Sequence, residues 1–202
     1  MLPIHFLPPK SLEPYIAFYG ITDMGEGFRE SYVSPPLGLC GIIISLEGEM
    51  NAKLNGELFL KDTCCATGQI TEPMIGDIVG PDKSLMVFIQ PCGLHELFGI
   101  DMSQLTNTSM PLFELIGKEE VDILIGNLVA ADSHEKMIEV MNEFFLDQLP
   151  VFEIAPKVRA AIDFIHQQKG NVTIKQIERN CFITARSLER HFKTYIGLSP
   201  KE

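Results

Sequence analysis

The apolar residues of this chain change their period near residue 110, and that change fixes what it can fold into. Before it, short β-branched runs alternate with turns containing Gly and Pro. After it, apolar side chains recur at offsets of three and four, the spacing of one helix face. The pattern predicts an α+β protein, β first and helices after. Cys40 to Gly48 (CGIIISLEG) reads as a buried strand bounded by glycines. Asn55-Gly56, set between Ala52/Leu54 and Leu58/Leu60, is a strong hairpin signal. Lys83 to Pro91 (KSLMVFIQP) reads as a further strand ending at the proline. Many short strands over residues 1 to about 108 predict a sandwich or small barrel.

Residues 110–150 predict a helical pair that completes a unit spanning 1–150. One helix runs from Glu119 to Ala130. The other runs from Ser133 to Leu149, with Ser133 as N-cap, an apolar stripe of Met137, Val140, Met141, Phe144, Phe145 and Leu149, and Pro150 closing it. The pair either packs on its own sheet or forms a dimer interface. Residues 151–202 predict a second, all-α unit. Pro156 opens a helix that ends near Gln168, with Val158, Ile162 and Ile165 inward. Thr173 and Gln176 form a capping-box pattern before Ile174 and Ile177. Thr184 caps a last helix whose inward face is Leu188, Phe192 and Ile196, ended by Gly197.

Charge divides the same way. The net −11 of the 202 residues is uneven: residues 1–150 hold 7 Lys+Arg against 22 Asp+Glu, and residues 151–202 hold 9 against 5. A basic segment on an acidic body suits an anionic partner such as double-stranded DNA, or is an ordinary solvated surface. The five cysteines, Cys40, Cys64, Cys65, Cys92 and Cys181, are odd in number and form no C-x-x-C pair, which predicts buried free thiols. The five histidines show no metal-ligand spacing, so neither metal nor cofactor is expected. His95-Glu96 is an adjacent His/Glu pair with no second histidine near it in the sequence, which argues against a metalloenzyme and against an enzyme altogether. No apolar run is long enough to cross a membrane, and the N-terminus lacks the basic and apolar regions of a secretory signal, so a cytoplasmic location is expected.

Two short helices joined by a tight turn, the second basic on its outer face, form a helix-turn-helix pattern. With Leu188 and Phe192 inward, Ala185, Arg186, Glu189, Arg190 and Lys193 turn outward. Arg186, near the N-terminus of that helix, is the candidate for bidentate contact with guanine. Thr184 and Ser187 are candidates for phosphate or base contact, and Arg190 and Lys193 for phosphate.

The run TIKQIERNCFITARSLERHFKTYIGLSPKE resembles the first helix-turn-helix of the AraC/XylS-type transcription regulators. The shared features are Ile174, Ile177, Arg186, Leu188, Arg190, Phe192 and the closing Gly197-Leu198-Ser199-Pro200-Lys201. Less specifically, PPKSLEPYIAFY, SPPLG, GQITEPM and the stretch from FIQPCGLHELFG onward are similar to the sensor domain that precedes this module. The resemblance implies a cupin-like β-barrel, helices, and a DNA-binding domain that regulates transcription. It departs in three places. Glu178 replaces a usual alanine. Phe182 replaces a turn glycine, which requires the backbone there to avoid positive φ. The chain also stops at Glu202, where the family continues into a second helix-turn-helix. This implies a shortened domain with weak DNA binding of its own, or a regulator homologue that acts as a protein-interaction modulator. A small-molecule effector would enter the barrel mouth. Phe18, Tyr32, Phe88 and Gln90 are its candidate lining, with core packing as their other reading. A homodimer is the further expected partner.

Overall fold

A computed structural model describes residues 3–60, 62–149 and 152–202. Pro150, expected to close the helical pair, lies outside them. The fold is α+β: a large antiparallel sheet followed by helices. The strands are β1 (Ile4–Phe6), β2 (Ile16–Met24), β3 (Arg29–Ser34), β4 (Cys40–Leu54), β5 (Glu57–Leu58), β6 (Cys64–Thr67), β7 (Met74–Ile89) and β8 (Ser109–Pro111). They run β1-β2-β7-β4-β6-β8, with β3 beside β7 and β5 beside β4. The two long strands carry the sheet. The upper half of β7 pairs with β2 and the lower half with β3, while β4 follows β7 along its whole length.

The expected hairpin forms at Asn55-Gly56, where both residues have positive φ (51° and 83°), as a type I′ turn requires. Two strand boundaries differ from expectation. Cys40 to Gly48 and the first hairpin arm are one strand, and β7 begins at Met74 rather than Lys83. Gly48, expected as a strand end, instead lies opposite Pro81 inside the ladder. The β4–β7 register shifts between Ser45 and Glu49, and a Cβ on Gly48 would lie 2.2 Å from the Pro81 carbonyl oxygen. The glycine permits a bulge and a close backbone approach, not a turn. A third correction is a short helix, α1 (Gly93–Phe98), within the segment expected to be β. It is closed by Gly99 in the left-handed region.

The bulge sets which side chains face which way. Above it, Cys40, Ile42 and Ile44 of β4 and Leu85, Val87 and Ile89 of β7 lie in the main core. The alternate Ile43 and Met86 point to the other face. Below it, β4 changes parity, and Met50 joins Ile43 on that second face. The main core is covered by α1, α2 (Leu112–Ile116), α3 (Lys118–Ala130) and α4 (His134–Asp147). Ser133 caps α4 as expected, accepting the Lys136 N–H. Met137, Met141 and Phe145 are buried against the sheet, and Tyr19 of β2 donates its hydroxyl proton to Asn142 Oδ1 at 2.8 Å. The helical pair therefore packs on its own sheet.

Three further helices, α5 (Pro156–Gln167), α6 (Ile174–Cys181) and α7 (Ala185–Tyr195), enclose a separate core of Val158, Ala161, Ile162, Ile177, Leu188, Phe192 and Ile196. Of the predicted inward residues, Val158, Ile162, Ile177, Leu188, Phe192 and Ile196 are buried, and Ile165 and Ile174 are half-buried against them. Full burial of Leu188 or Phe192 contributes about 1.5–3 kcal/mol each. Cys92, at the start of α1, enters this second core and joins it to the body. All five cysteines are buried, and none forms a disulfide among the described residues.

Candidate functional site

The local chemistry of α6 and α7 explains their geometry. Thr173 accepts the Gln176 N–H at 3.3 Å, and Gln176 Oε1 accepts the Thr173 N–H at 2.8 Å, completing the capping box. Helix α6 ends at Cys181, and the chain turns through Phe182 to Thr184. Phe182 adopts φ 52° and ψ 42°, so the expectation that its backbone avoids positive φ is overturned. The residue's side chain is 79% exposed, so no packing opposes that conformation. Thr184 then accepts the Ser187 N–H at 3.2 Å as the cap of α7. Glu178 also has a local role: its Oε1 accepts the Ala185 N–H at 2.6 Å, a carboxylate at the positive end of a helix.

The outer face of α7 carries Arg186, Glu189, Arg190 and Lys193, all exposed. These four share an open hollow with Thr194, Ser199 and, from the body, Asp101 and Ser103. Thr184 and Ala185 stand at the head of that face. Ser187 lies behind it, its Oγ 3.3 Å from His191 Nδ1, and Arg190 approaches the other ring nitrogen at 3.4 Å. All seven residues expected at a DNA surface thus sit on one helix, although Thr184, Ala185 and Ser187 already use polar groups in capping or local bonds.

The helical unit is held against the body at three points, two through α7 and its end and one through α5. Thr106 Oγ1 donates to the Gly197 carbonyl at 2.7 Å. The Tyr195 ring lies between His191, stacked at 5.5 Å, and His95, tilted at 4.5 Å. His95 donates its Nδ1 proton to the Ile100 carbonyl at 2.8 Å, which fixes its tautomer because a carbonyl only accepts. Arg159 of α5 pairs with the buried Glu96 of α1. His95-Glu96 therefore serves the junction between body and helices. Burial, followed by the Glu96 charge, pushes the nearby Cys92 thiol up to about 12.

The second face of the sheet encloses a cavity of about 510 Å³, within the size range of small-molecule pockets. Tyr32 and Phe88 line it. Phe18 is not in the lining; it stacks on Phe88 at 4.2 Å. Gln90 is not in the lining either, and its backbone N–H is held by the Tyr15 carbonyl at 2.8 Å. The sequence reading missed Ile43, Met50, Met74, Ile78 and Met86. Strand alternation through Phe88 points to Met86, but Met50 becomes legible only once the bulge is known. Tyr32 packs closely on its cross-strand partner Gly76, where a Cβ would lie 2.3 Å from the ring. Burial first, then the charges of Asp82 and Asp77, push its phenol up to about 12.

Among the described residues, no three His, Cys, Asp or Glu side chains gather as a metal site would require, and no helix is long and apolar enough to cross a membrane. No curated protein matches the chain. Among solved structures, the crystal structure of the AraC-like transcriptional activator CuxR is similar at 14% identity over 87% of this chain and 70% of that one, with a TM-score of 0.42. That overlap is too loose to transfer anything about that protein to this one. The sheet and the strands that build the cavity coincide with a family model. Residues 4–111, more than half of the chain, match the model described as Domain of unknown function (DUF6597), and the chain belongs to that family.

Proposed function

We propose that this protein is a sequence-specific DNA-binding transcription regulator. In this reading residues 1–150 form a cupin-like sensor or dimerisation unit, and residues 151–202 carry a helix-turn-helix with α7 as recognition helix. The observation that carries it is the pair α6–α7. A three-residue turn separates two capped helices, and the second sets Arg186, Arg190 and Lys193 on one exposed face. The similarity of this run to the AraC/XylS-type module supports the same reading. The apolar cavity beneath the second sheet face supports control by a small effector. A homodimer through α3 and α4 is supported by the outward apolar side chains of Ile123, Val129 and Leu146. The reading assigns no catalytic step and places the protein in the cytoplasm with its DNA.

The test is duplex-DNA affinity of the protein, compared at matched salt and followed through a salt series. Arg186→Ala should cost about 1–3 kcal/mol and relax preference at one base pair. Lys193→Ala should weaken all sequences alike and lower the salt slope by about 1. Equal binding by wild type and Arg186→Ala would remove the recognition role. One observation favours a second reading, a modulator that acts by protein contact without strong DNA binding. The basic face of α7 shares its hollow with Asp101, so the body already supplies an acidic neighbour there.

A further inference from the structure

We propose that the cavity is built for a lipophilic monocation: a bulky apolar molecule bearing one delocalised or shielded positive charge. The inference rests on the reading above that this cavity is a ligand site, and it adds the chemical class. Three independent features of the wall select that class.

The first is charge. Among the described residues, the lining contains no Lys, Arg or His, and its charged member is Glu30 at the rim. Directly behind the wall lies Asp82, 0% exposed. Its Oδ2 accepts from the Thr22 hydroxyl at 2.7 Å and its Oδ1 from the Ser84 hydroxyl at 2.8 Å. Thr22 itself lines the cavity, so this carboxyl is one hydroxyl away from the occupant. No cationic side chain of the described residues pairs with it. A carboxylate held in a low-dielectric interior by neutral donors alone attracts a cation and repels an anion. The acidic body, 22 Asp+Glu against 7 Lys+Arg over residues 1–150, adds a long-range field of the same sign.

The second feature is aromatic. Tyr32 is packed against Gly76, and Phe88 is braced by Phe18, so both rings are held in place before any ligand arrives. Ring faces attract a poorly hydrated cation, most strongly where water is excluded. A phenol is neutral through the ordinary pH range and burial raises this one further, so that ring does not itself become the counter-ion.

The third is adaptability. Met50, Met74 and Met86 all face the cavity, and unbranched polarizable thioethers reshape to fit different apolar bodies. The wall therefore selects by charge sign and bulk rather than by a fixed hydrogen-bond pattern.

Two ions of the same shape and opposite sign test this. Binding of tetraphenylphosphonium, tetraphenylborate and neutral triphenylphosphine oxide is measured by calorimetry on the whole chain, with Asp82→Asn and the cavity-filling Ile43→Trp alongside. The phosphonium should bind at least tenfold tighter than the borate and tighter than the neutral compound. Asp82→Asn should cut that charge preference several-fold while leaving the neutral compound unchanged, and Ile43→Trp should remove binding of all three. Equal or tighter binding of the borate or the neutral compound overturns the ligand class and leaves the cavity a ligand site. No binding of any probe, or binding indifferent to Ile43→Trp, overturns the ligand-site reading itself. If Asp82→Asn does not fold, the comparison of probes on the wild type decides alone.

Discussion

Thr106, in the loop before β8, donates its hydroxyl proton to the Gly197 carbonyl at 2.7 Å, and this bond joins the end of α7 to the body across 91 residues of sequence. Gly197 has φ 91°, and a Cβ there would lie 2.8 Å from both the Met102 carbonyl oxygen and Thr106 Oγ1. Both the backbone conformation and the close approach exclude a side chain. Gly197→Ala should therefore destabilise the docking of α7 by about 1–3 kcal/mol. Hydrogen exchange should show it as faster exchange in α7 and around Met102, with α3 and α4 unchanged. Unaltered protection in α7 would mean that this contact does not hold the helix.

The Glu96–Arg159 ion pair ties α1 to α5 within the same junction. Glu96 is only 4% exposed, and its Oε2 has no partner, so the carboxylate depends on Arg159 for compensation. Removing the arginine leaves a buried charge unpaired. Arg159→Ala should cost about 1–3 kcal/mol, at the lower end because the guanidinium is partly in water. Glu96→Gln should cost less, since an amide tolerates the loss better. A double-mutant cycle in urea checks this, and a coupling energy near zero would show that solvent already satisfies the carboxylate.

Phe182 holds a left-handed conformation that costs a residue with a Cβ about 1–2 kcal/mol, and its exposed ring recovers little of that by burial. Phe182→Gly should stabilise the helical unit by about 0.5–1 kcal/mol, the remainder being offset by glycine's freedom in the unfolded chain. Denaturant midpoints measure it, and a lower midpoint for the glycine variant would assign the phenylalanine a packing role that its exposure does not suggest.

The residues that were legible in sequence are those whose signals are local. Thr173, Ser133 and Thr184 cap where their spacing says, because a cap depends on three or four residues of chain. Leu188, Phe192 and Ile196 are buried because helix period alone sets a face. The cavity was only half legible. Phe88 and Tyr32 sit on strands whose alternation is readable, but Met50 changed face at a bulge that depends on Gly48 meeting Pro81 across the sheet. Asp82 gave no signal of its own, since its partners Thr22 and Ser84 are placed by strand pairing rather than by sequence distance. The same holds for Glu96–Arg159. In sequence Glu178 is a departure from a family pattern and nothing more. Its bond to the Ala185 N–H, seven residues on, required the geometry of the turn.

Tyr32 links the cavity to pH. Its phenol ionises near 10 in the unfolded chain and is pushed up to about 12 in the fold, first by burial and then by Asp82 and Asp77. Between those values the folded protein holds a proton that the unfolded chain releases. The stabilising contribution is thus complete below pH 10 and declines as pH rises from 10 to 12, by at most about 1.4 kcal/mol per pH unit. Tyr19, raised by burial alone, adds a decline of the same sign. The difference in alkaline absorbance at 295 nm between wild type and Tyr32→Phe should titrate near 12. In Asp82→Asn the transition should move down, yet stay above 10, because burial is the larger cause. A difference spectrum that titrates at 10 in the wild type would place the phenol in water and remove the neutral, fixed ring that the cavity requires.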